Sequence, residues 1–515
     1  MFSALGIAAA KSGAVTVDHD IDSPPFFHTS NQRWQAAYDK ALDILRNNVQ
    51  ILPKFEKPVL IEGSSYAGIW QECGPHESIV YRKFRPDVAR NSHMVFFHLQ
   101  RPDGQLPANN KRTETGFGQI QMVVPIAATA WELAQATGDH ELLKTAYDAC
   151  SRWDAWLARY RNTRGTGLIE GFCTYDTGMD NSPRWAGIPP QCPDKDAKKC
   201  SPLPTLPRLC PDISATIYGA RTALAGMAKA LGKSSDADRW TEKAEQLRNL
   251  ILAKLYVPDE AAFYDLDAQN HFVKVRTSVL TRMCGEHIVD QKLFNELWEQ
   301  QIHNTRAFWA PFPFPSVALD DSAFVRPVPR NSWGGASQAL TALRAGRWLD
   351  YYGHPAEFST LMQQWCEAIQ RDMTFRQQID PLSGAFTQGD LPDYSPAALA
   401  MMDFTWRLAG IHEELHELHW NARPGHAASD RALFRMHTDD GHEAEIRYEA
   451  NGATLFFKGT QIARIDGGAA RLVTDKEGKV NGLTSISETT RHVTFKVPKG
   501  TSRSLTLRAN QRLLL

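Results

Sequence analysis

The chain has 515 residues, more than the roughly 100–250 residues of one compact domain, so we expect more than one folding unit. Apolar residues make up 43% of the chain and charged residues 22%, which excludes a wholly disordered protein. Lys plus Arg number 57 and Asp plus Glu number 58, and this balance argues against a nucleic acid partner or a basic membrane-binding face.

Residues 1–30 are predicted to form an N-terminal arm. Residues 31–420 are predicted to form one helical domain, because apolar residues recur at spacings of three and four in most of ten successive segments. The predicted helices are Gln32–Asn47, Pro86–Leu99, Gln119–Ala136, His140–Tyr160, Ile213–Leu231, Ala237–Leu255, Gln291–Ile302, Ala336–Tyr351, Ala356–Asp372 and Ala397–His416.

Three of the connections between these helices share one pattern. A helix ends at Gly138, Gly232 or Gly353, and the next begins after a capping residue or Pro, which are Asp139, Ser234 or Ser235, and Pro355. Gly readily takes the left-handed conformation that ends a helix, so each connection predicts a tight αα-hairpin. Several hairpins without heptads or a short repeat period indicate a closed toroid of helices rather than a solenoid.

Residues 421–515 have a different pattern. Apolar and polar residues alternate in "AEIRYEANGATLFFKGTQIARI" and "RHVTFKVPKGTSRSLTLR", and Asn-Gly, Asp-Gly and Lys-Gly pairs interrupt the alternation. This pattern predicts a small antiparallel β-domain. We expect it to cover one face of the helical domain.

The eight cysteines bear on the compartment. Cys192 and Cys200 lie in a loop rich in Pro and Lys, and exposed cysteines in such a loop favour disulfide bonds and a periplasmic or secreted protein. A metal site is disfavoured because no CxxC pair is present. No apolar run approaches the ~20 residues that cross a bilayer, so no membrane partner is predicted.

Four loops between the helices combine aromatic, polar and Gly residues. They are "YAGIWQECGPHES" (Tyr66–Ser78), "GLIEGFCTYDTGMDNSPRW" (Gly167–Trp185), "RNSWGGAS" (Arg330–Ser337) and "FRQQIDPLSGAFTQGDLPDYSPAAL" (Phe375–Leu399). Catalytic groups usually lie on loops that a rigid scaffold positions, although each loop is also explained by turns and helix caps. Their similar places in successive hairpins indicate one shared rim.

The stretch from Trp70 to about Trp406 resembles the (α/α)6-barrel glycosidases of the glucosidase, mannosylglycerate-hydrolase and trehalase group, and the bacterial family-63 type in particular. "GDHELLKTAYDACSRWDAWLARYRNTRGTGLIEGFCTYDTGMDNSPRW" is similar to a helix and the "SG-x-D-x-S" loop of that family. "FRQQIDPLSGAF" followed by "YSPAALAMMDF" is similar to its "E-x-x-x-P-x-T-G … FSWTAA" ending. The resemblance implies a mainly α fold, an (α/α)6 toroid of six hairpins, followed by the small antiparallel β-domain.

The resemblance also implies a reaction. In such inverting glycosidases one carboxylic acid protonates the leaving oxygen and a carboxylate activates water on the opposite face, with the two groups ~6.5–9.5 Å apart. By position, Asp180 is the general acid and Gln377 stands where the family has its base. The implied substrate is a short α-linked gluco- or manno-type glycoside, and no cofactor or metal is implied. The oligomeric state stays open.

Gln377 departs from the family pattern. A Gln amide does not accept a proton from water at neutral pH, and general-base help is typically worth 10²–10⁴-fold in rate. Three explanations are open: an engineered replacement of Glu, another carboxylate acting as the base (Asp380, Asp390 or Glu77), or a sugar-binding pseudoenzyme. We adopt the first as our hypothesis.

Aromatic and polar residues of the four loops and the Gln119–Ala136 segment are candidate sugar contacts, and they are Trp70, Glu72, His76, Gln121, Arg184, Trp333 and Tyr394. A "WLWD"-like family motif appears here as "IWQECGPHE". Gly334 and Gly335 replace the Arg of its "YWRGP"-like segment. These departures leave the sugar, its linkage and its aglycone open.

Other function classes remain. A carbohydrate-binding protein without turnover is consistent with Gln377. A uronyl hydrolase, lyase or epimerase is compatible with the same toroid, with His76 or Tyr394 as a base in the latter two. "HEELH" (His412–His416) matches the H-E-x-x-H zinc-protease motif, but at the end of the last predicted helix it is more simply a solvated helix terminus.

Overall fold

The computed structural model describes residues 25–63, 66–326, 329–389, 392–498 and 500–515. These residues form twelve α-helices, namely α1 (Gln32–Asn47), α2 (Gly74–Tyr81), α3 (Pro86–His98), α4 (Ile126–Thr137), α5 (His140–Tyr160), α6 (Pro211–Ala230), α7 (Ser234–Leu255), α8 (Val279–Gly285), α9 (Gln291–Leu297), α10 (Ala339–Arg344), α11 (Pro355–Asp372) and α12 (Ser395–Ala409). In this part of the chain, none of the helices combines the length and apolar character needed to span a membrane.

Short strands accompany the helices. They are β1 (Phe26–His28), β2 (Val49–Leu52), β3 (Phe55–Leu60), β4 (Gly68–Trp70), β5 (Asn109–Lys111), β6 (Thr115–Gly116), β7 (Glu170–Gly171), β8 (Arg208–Leu209), β9 (Tyr256–Val257), β10 (Ala262–Phe263), β11 (Asp265–Leu266), β12 (Phe272–Val273), β13 (Ser337–Gln338) and β14 (Gln378–Ile379). Longer strands follow α12, namely β15 (Ile411–Glu413), β16 (Glu417–Ala422), β17 (Leu433–His437), β18 (Glu443–Tyr448), β19 (Gly452–Phe457), β20 (Thr460–Asp466), β21 (Ala470–Asp475), β22 (Val480–Ser485), β23 (Arg491–Lys496), β24 (Arg503–Leu507) and β25 (Arg512–Leu514).

The even-numbered helices form a closed ring. Going round it, α2 contacts α4, α4 contacts α6, α6 contacts α8, α8 contacts the turn that ends α10, α10 contacts α12, and α12 contacts α2. Every residue of α12 is buried, whereas α7, outside the ring against α6, buries a single stripe. A helix that is apolar all round belongs inside and an amphipathic one outside. The predicted six-hairpin helical fold is therefore confirmed.

The helix ends follow the local sequence. Gly138 takes a left-handed φ of 65°, and the Asp139 side chain accepts a hydrogen bond from the N–H of Leu142 (2.9 Å), which confirms the first predicted hairpin. Lys233, and not Ser234 or Ser235, precedes the first turn of α7. The sequence did not predict α2 and α8, because both are short and almost entirely buried and so lack a polar face that would reveal a helical period.

The C-terminal part consists of two antiparallel sheets. One has the order β1-β17-β18-β19-β20-β23-β24 and the other the order β15-β16-β21-β22-β25. The strands begin at Ile411, ten residues before the predicted domain limit, because α12 stops at Ala409 and does not continue to His416. The predicted N-terminal arm lies largely outside the described residues, and its last part supplies β1 to the larger sheet. The domain limits stay a prediction.

Candidate active site

Asp180 lies in the loop that leads from β7 toward α6, at the N-terminal ends of the ring helices. Its backbone carbonyl accepts a hydrogen bond from the N–H of Trp333 (3.1 Å), and its Oδ2 accepts one from Nδ2 of Asn331 (2.9 Å). Loss of solvent, followed by the charge of Glu72, raises the pKa of Asp180 from 3.8 to about 7. A carboxyl group that keeps its proton near neutral pH meets the requirement for a general acid.

Gln377 lies directly before β14 and is buried. Its Nε2 donates to Oδ1 of Asn331 (3.1 Å), and its Oε1 accepts from the hydroxyl of Tyr66 (2.9 Å). The amide of Asn331 therefore bridges Asp180 and Gln377. Its two hydrogen bonds limit the separation of Asp180 Oδ2 and Gln377 Nε2 to about 8 Å at most, a limit that lies within the range of inverting pairs.

Glu72 lies beside the loop Gly167–Trp185, which carries Asp180 and which we call the acid loop. Its carboxylate contacts the α-carbon side of Gly178, and Arg344 donates to its backbone carbonyl (2.9 Å). Burial raises the pKa of Glu72, and the charges of Arg344 and Arg282 and a hydrogen bond from Gln121 oppose that rise. The side chain of Glu72 is thus a buried hydrogen-bond acceptor that packs against the backbone two residues before Asp180.

Glu62 and two tyrosines form the wall next to Gln377. The hydroxyl of Tyr394 donates to Oε1 of Glu62 (2.7 Å), and the ring of Tyr66 lies edge-on to that of Tyr394 with centroids 6.1 Å apart. Burial, followed by the charges of Glu77 and Glu72, holds the pKa of Glu62 well above its usual range. Burial thus raises the pKa of three carboxyl groups of the site, those of Asp180, Glu72 and Glu62.

A buried ion pair between Arg161 and Asp176 fixes the acid loop. The guanidinium of Arg161 donates to Oδ2 of Asp176, and Asp176 also accepts the backbone N–H groups of Ile120 (2.8 Å) and Phe172 (2.7 Å). Both charged side chains are fully buried. Asp176, one of the loop's acidic residues, thus has a structural role four residues before Asp180.

Several predicted sugar contacts do meet at this site. Trp70 lies edge-on to Tyr66, with ring centroids 5.8 Å apart. Gln121, held at a φ of 44°, supports Glu72. The backbone N–H of Trp333 donates to the backbone carbonyl of Asp180. Trp70 and Tyr394 thus contact Tyr66, the partner of Gln377, and Gln121 contacts Glu72, the neighbour of Asp180.

Arg184 has another role. Its guanidinium donates to both oxygens of Asp212 (3.0 and 3.0 Å) and to both oxygens of Asp265 (3.0 and 2.7 Å), and Nη1 also contacts the sulfur of Met179 (3.4 Å). All five N–H groups are used, so none is left for a sugar hydroxyl. The prediction of Arg184 as a sugar contact is wrong for this reason, and its role is to anchor the acid loop.

His76 is also separate from this group. Its side chain lines a cavity at the opposite ends of the ring helices, together with Arg347, Arg407 and residues of the C-terminal sheets. His76 belongs to the first turn of α2, and its Nδ1 makes no hydrogen bond with a described residue. The structure therefore does not bring His76 to Asp180.

The alternative bases differ in their surroundings. Oδ1 of Asp380 accepts the backbone N–H groups of Leu382 (2.9 Å) and Ser383 (3.0 Å), and its other oxygen pairs with Arg326, so it closes a turn. Glu77 is completely buried, and burial raises its pKa to about 8. Asp390 lies outside the described residues. Asp380 is thus engaged by Arg326 and two backbone N–H groups, and Glu77 keeps its proton near neutral pH, so neither described carboxylate is a free base.

The HEELH segment is not helical. His412 belongs to β15 and pairs with His419 of β16, while His416 is in the turn between them. Glu413 is buried and forms ion pairs with Lys83 and with Lys476 (2.5 Å). The zinc-protease motif needs both histidines on one helical face and a free Glu, so this alternative loses its structural basis.

The predicted disulfide bonds are wrong. All eight cysteines belong to the described residues, and all carry free thiols. Sγ of Cys173 and Sγ of Cys192 are 3.6 Å apart, far beyond the ~2.05 Å of a disulfide bond. Cys192 is not exposed, because it packs against Phe172 inside the fold. The periplasmic or secreted location, which rested on disulfides, stays a prediction.

Three sets of side chains bring candidate metal ligands within 4.8 Å of one another in the described part of the chain: Cys173, Asp176 and Cys192; Glu62, Glu72 and Cys73; Cys210, Asp212 and Asp265. Arg161 and Arg184 already neutralise the carboxylates of the first and third sets. In the second set, burial raises the pKa of Glu62, Glu72 and Cys73, which disfavours the charged forms that would bind a cation. The prediction of no metal stays a prediction.

The sequence analysis missed five residues of the site. Tyr66 and Asn331 lay within two of the four loops, but neither matched a motif, while Glu62, Arg282 and Arg344 had no distinguishing local pattern. A Glu shortly after the apolar end of β3 was the one available signal for Glu62, because a carboxyl at the end of a buried strand needs a partner.

A family model described as the mannosylglycerate hydrolase MGH1-like glycoside hydrolase domain matches residues 66–406. No curated protein sequence matches the chain. The matched residues include Asp180, Asn331 and Gln377, and they span the helical ring from β4 to α12.

Solved structures share the fold at low sequence identity. The GH63 mannosylglycerate hydrolase from Thermus thermophilus in complex with glucose is 17% identical, with 72% of this chain and 99% of that chain covered and a TM-score of 0.56. Neutral trehalase Nth1 from Saccharomyces cerevisiae is 12% identical, with 69% and 76% covered and a TM-score of 0.53. A structure described as a sialidase is 16% identical, with 85% and 40% covered and a TM-score of 0.62.

Proposed function

The chain belongs to the mannosylglycerate hydrolase MGH1-like glycoside hydrolase family, and from this premise we propose that it is built to hydrolyse a short α-linked glycoside of gluco or manno type with inversion. The single observation that carries the proposal is the Asn331 amide, which binds Asp180 on one side and the side chain at position 377 on the other. Its two hydrogen bonds allow a separation of up to about 8 Å, and this limit falls within the ~6.5–9.5 Å in which an inverting enzyme holds an anomeric carbon and a water molecule.

In the proposed reaction Asp180 protonates the leaving oxygen. Its raised pKa supports this role, because the proton is still present near pH 7 and is given up to an oxygen on which negative charge develops. The Asn331 amide occupies the gap in the free protein. A substrate that enters would replace its donor and acceptor with a glycosidic oxygen and a water molecule.

The residue at 377 faces the water in the proposed reaction. Gln377 cannot take the proton, so we propose that the present sequence is a hydrolase inactivated by Gln in place of Glu. The surroundings suit a glutamate: the Tyr66 hydroxyl already donates to Oε1, and the Asn331 amide, turned over, would donate to Oε2.

The substrate class follows from the walls of the site. Buried carboxyl groups such as Glu72 accept hydrogen bonds from sugar hydroxyls, and the rings of Tyr66 and Trp70 offer apolar faces to a pyranose. The Thermus thermophilus relative has structures in complex with glucose and in complex with Tris and D-glycerate, which supports a small carbohydrate or glycoside as the partner.

The test compares the present protein with its Gln377→Glu variant on α-glucosides and α-mannosides, including mannosylglycerate and trehalose. We expect a gain of about 10²–10⁴-fold in kcat, with the product released first as the inverted anomer in NMR spectra. A matched double variant, Gln377→Glu with Asp180→Asn, should lose the gain. If Gln377→Glu hydrolyses none of these glycosides faster than the present protein, the proposal is wrong. An unsaturated or isomerised product would instead identify a lyase or an epimerase.

One observation favours a second candidate, a carbohydrate-binding protein without turnover. Both polar atoms of the Gln377 amide are hydrogen-bonded, to Tyr66 and Asn331, so the amide fits the native network as it stands. Calorimetric titration that shows sugar binding by both proteins, with no hydrolysis by the Gln377→Glu variant, would decide for this candidate.

A further inference from the structure

A cavity of about 710 Å³ lies at the opposite end of the ring from Asp180, and we refer to it as the far cavity. Its walls include residues from the C-terminal halves of ring helices, for example Arg407 of α12, and from the C-terminal sheets, for example Arg471 of β21. It thus lies where the β-domain covers the ring. Its volume is within the range of sites that bind small molecules.

Several buried polar atoms of the far cavity lack a hydrogen-bond partner among the described residues. Nη1 of Arg407 and Oδ2 of Asp350 form an ion pair at 3.7 Å without a hydrogen bond, and Nε of Arg347, Nδ1 of His76 and Nδ1 of His419 also make no hydrogen bond within the described part of the chain. His76 and Arg407 are each only 8% exposed. Buried polar groups are nearly always satisfied, so this set indicates a ligand or water that supplies both donors and acceptors.

Glu132 adds a free carboxylate to the same wall. It lines the far cavity from α4 and makes no hydrogen bond or ion pair with another described residue. By contrast, the three residues of the HEELH segment that line this cavity are engaged: Glu413 pairs with two lysines, and Nε2 of His412 bonds Oε1 of Glu414 (2.9 Å).

The charges of the far cavity are balanced. Six Lys or Arg side chains and six Asp or Glu side chains line it. A cavity without net charge gives no advantage to an anion or a cation, whereas groups of both signs suit a neutral ligand whose hydroxyls both donate and accept.

An exposed aromatic surface lies at the rim of the far cavity. Tyr351 is 63% exposed and stacks on His287, with ring centroids 3.8 Å apart and planes inclined by 12°. Both residues line the cavity. An aromatic face held flat against its support and open to solvent suits contact with the C–H face of a sugar ring.

From these four observations we propose that the far cavity is a second binding site, separate from the Asp180 site, for a neutral polyhydroxylated molecule, that is, a sugar or polyol. His76, which does not reach the Asp180 site, is one of its polar contacts. The proposal does not depend on hydrolysis at Asp180.

Calorimetric titration of the full chain with D-glucose, trehalose and glycerol tests this site. The far-cavity variant is Glu132→Gln combined with Tyr351→Ala, since neither side chain supports the fold through an ion pair or burial. We expect it to weaken binding of at least one probe about tenfold or more at one of two sites. The matched control, Glu299→Gln combined with Phe272→Ala, changes an exposed Glu and an exposed aromatic elsewhere and should bind as the parent does.

Two further measurements separate this site from the active site. In the Gln377→Glu background the far-cavity variant should keep kcat unchanged, whereas Trp70→Ala should weaken the other binding event and leave the far-cavity event intact. The proposal is overturned if none of the three probes binds, or if every binding event survives the far-cavity variant and is lost with Trp70→Ala. Failure of Gln377→Glu to hydrolyse glycosides would leave the far-cavity result unaffected.

Discussion

The carboxylate of Glu72 occupies the space in which a side chain on Gly178 would begin. A Cβ placed on Gly178 would lie 1.7 Å from Oε2 of Glu72, and Gly178 has a left-handed φ of 61°. Position 178 is two residues before Asp180, so the turn that carries the proposed acid and the carboxylate that raises its pKa fit together only because this residue has no side chain.

Gly178→Ala should displace either Glu72 or the acid loop. A shift of about 1 Å at a catalytic group costs on the order of 10²-fold in rate, so we expect a loss of that size in kcat of the Gln377→Glu protein. Gly187→Ala is the matched control, because Gly187 also has a positive φ (76°) but open space around it. Equal losses in the two alanine variants would show that backbone strain alone is responsible.

The activity of Gln377→Glu should fall as pH rises above about 7. The reason is that Asp180 must hold a proton to act as an acid, and its pKa is raised from 3.8 to about 7. A rate profile over about pH 4–9 measures this limb. An activity that stays constant up to the alkaline end of this range would exclude Asp180 as the acid.

Glu72→Gln should move the same limb to lower pH. The charge of Glu72 is the second cause of the raised pKa of Asp180, after loss of solvent, and the substitution removes the charge while keeping the shape. The measurement is the pH profile of the Gln377→Glu protein with and without Glu72→Gln. An upward shift would contradict this account of the electrostatics.

Asp180→Asn should stabilise the protein at alkaline pH. A carboxyl with a raised pKa in the folded state costs stability as pH rises from its ordinary pKa of 3.8 toward about 7, and the cost stays constant above that pH. Because the side chain is partly exposed, we expect a gain of on the order of 1–2 kcal/mol in the free energy of unfolding at about pH 8, and almost none at about pH 3.5. Urea denaturation at the two pH values provides the comparison.

Asp176→Asn should destabilise the fold strongly, since it leaves the fully buried guanidinium of Arg161 without its carboxylate. Removing one partner of a buried pair typically costs about 3–5 kcal/mol. Asp148→Asn is the control, because Asp148 pairs with Arg152 on the surface (3.2 Å) and such pairs contribute about 0–1 kcal/mol. Similar losses of unfolding free energy in the two variants would contradict the structural role of Asp176.

The general architecture could be predicted from the sequence, but the details of the site could not. Outer helices such as α5 and α7 show their period because one face meets water, whereas α8 is buried all round and shows none. Local turn chemistry likewise reveals the hairpin at Gly138–Asp139.

The candidate site divides in the same way. Asp180 and Gln377 each belong to a motif that is continuous in sequence, so their positions could be proposed from the sequence. The Asn331 bridge and the Arg184 ion pairs depend on side chains more than about 25 residues apart in sequence, and only the packed fold brings those partners together. The disulfide prediction failed for a related reason: composition did not reveal that Cys192 is buried.

Pairing of β1 with β17 joins Phe26–His28, just before the first helix, to the sheet that follows the last one. The segments that precede and follow the helical ring in sequence therefore belong to the same β-sheet. A shortened protein that stops after α12 would strip β1 of its neighbour and open the charged wall of the far cavity to solvent. An engineered version of this scaffold should therefore keep residues 26–514 together.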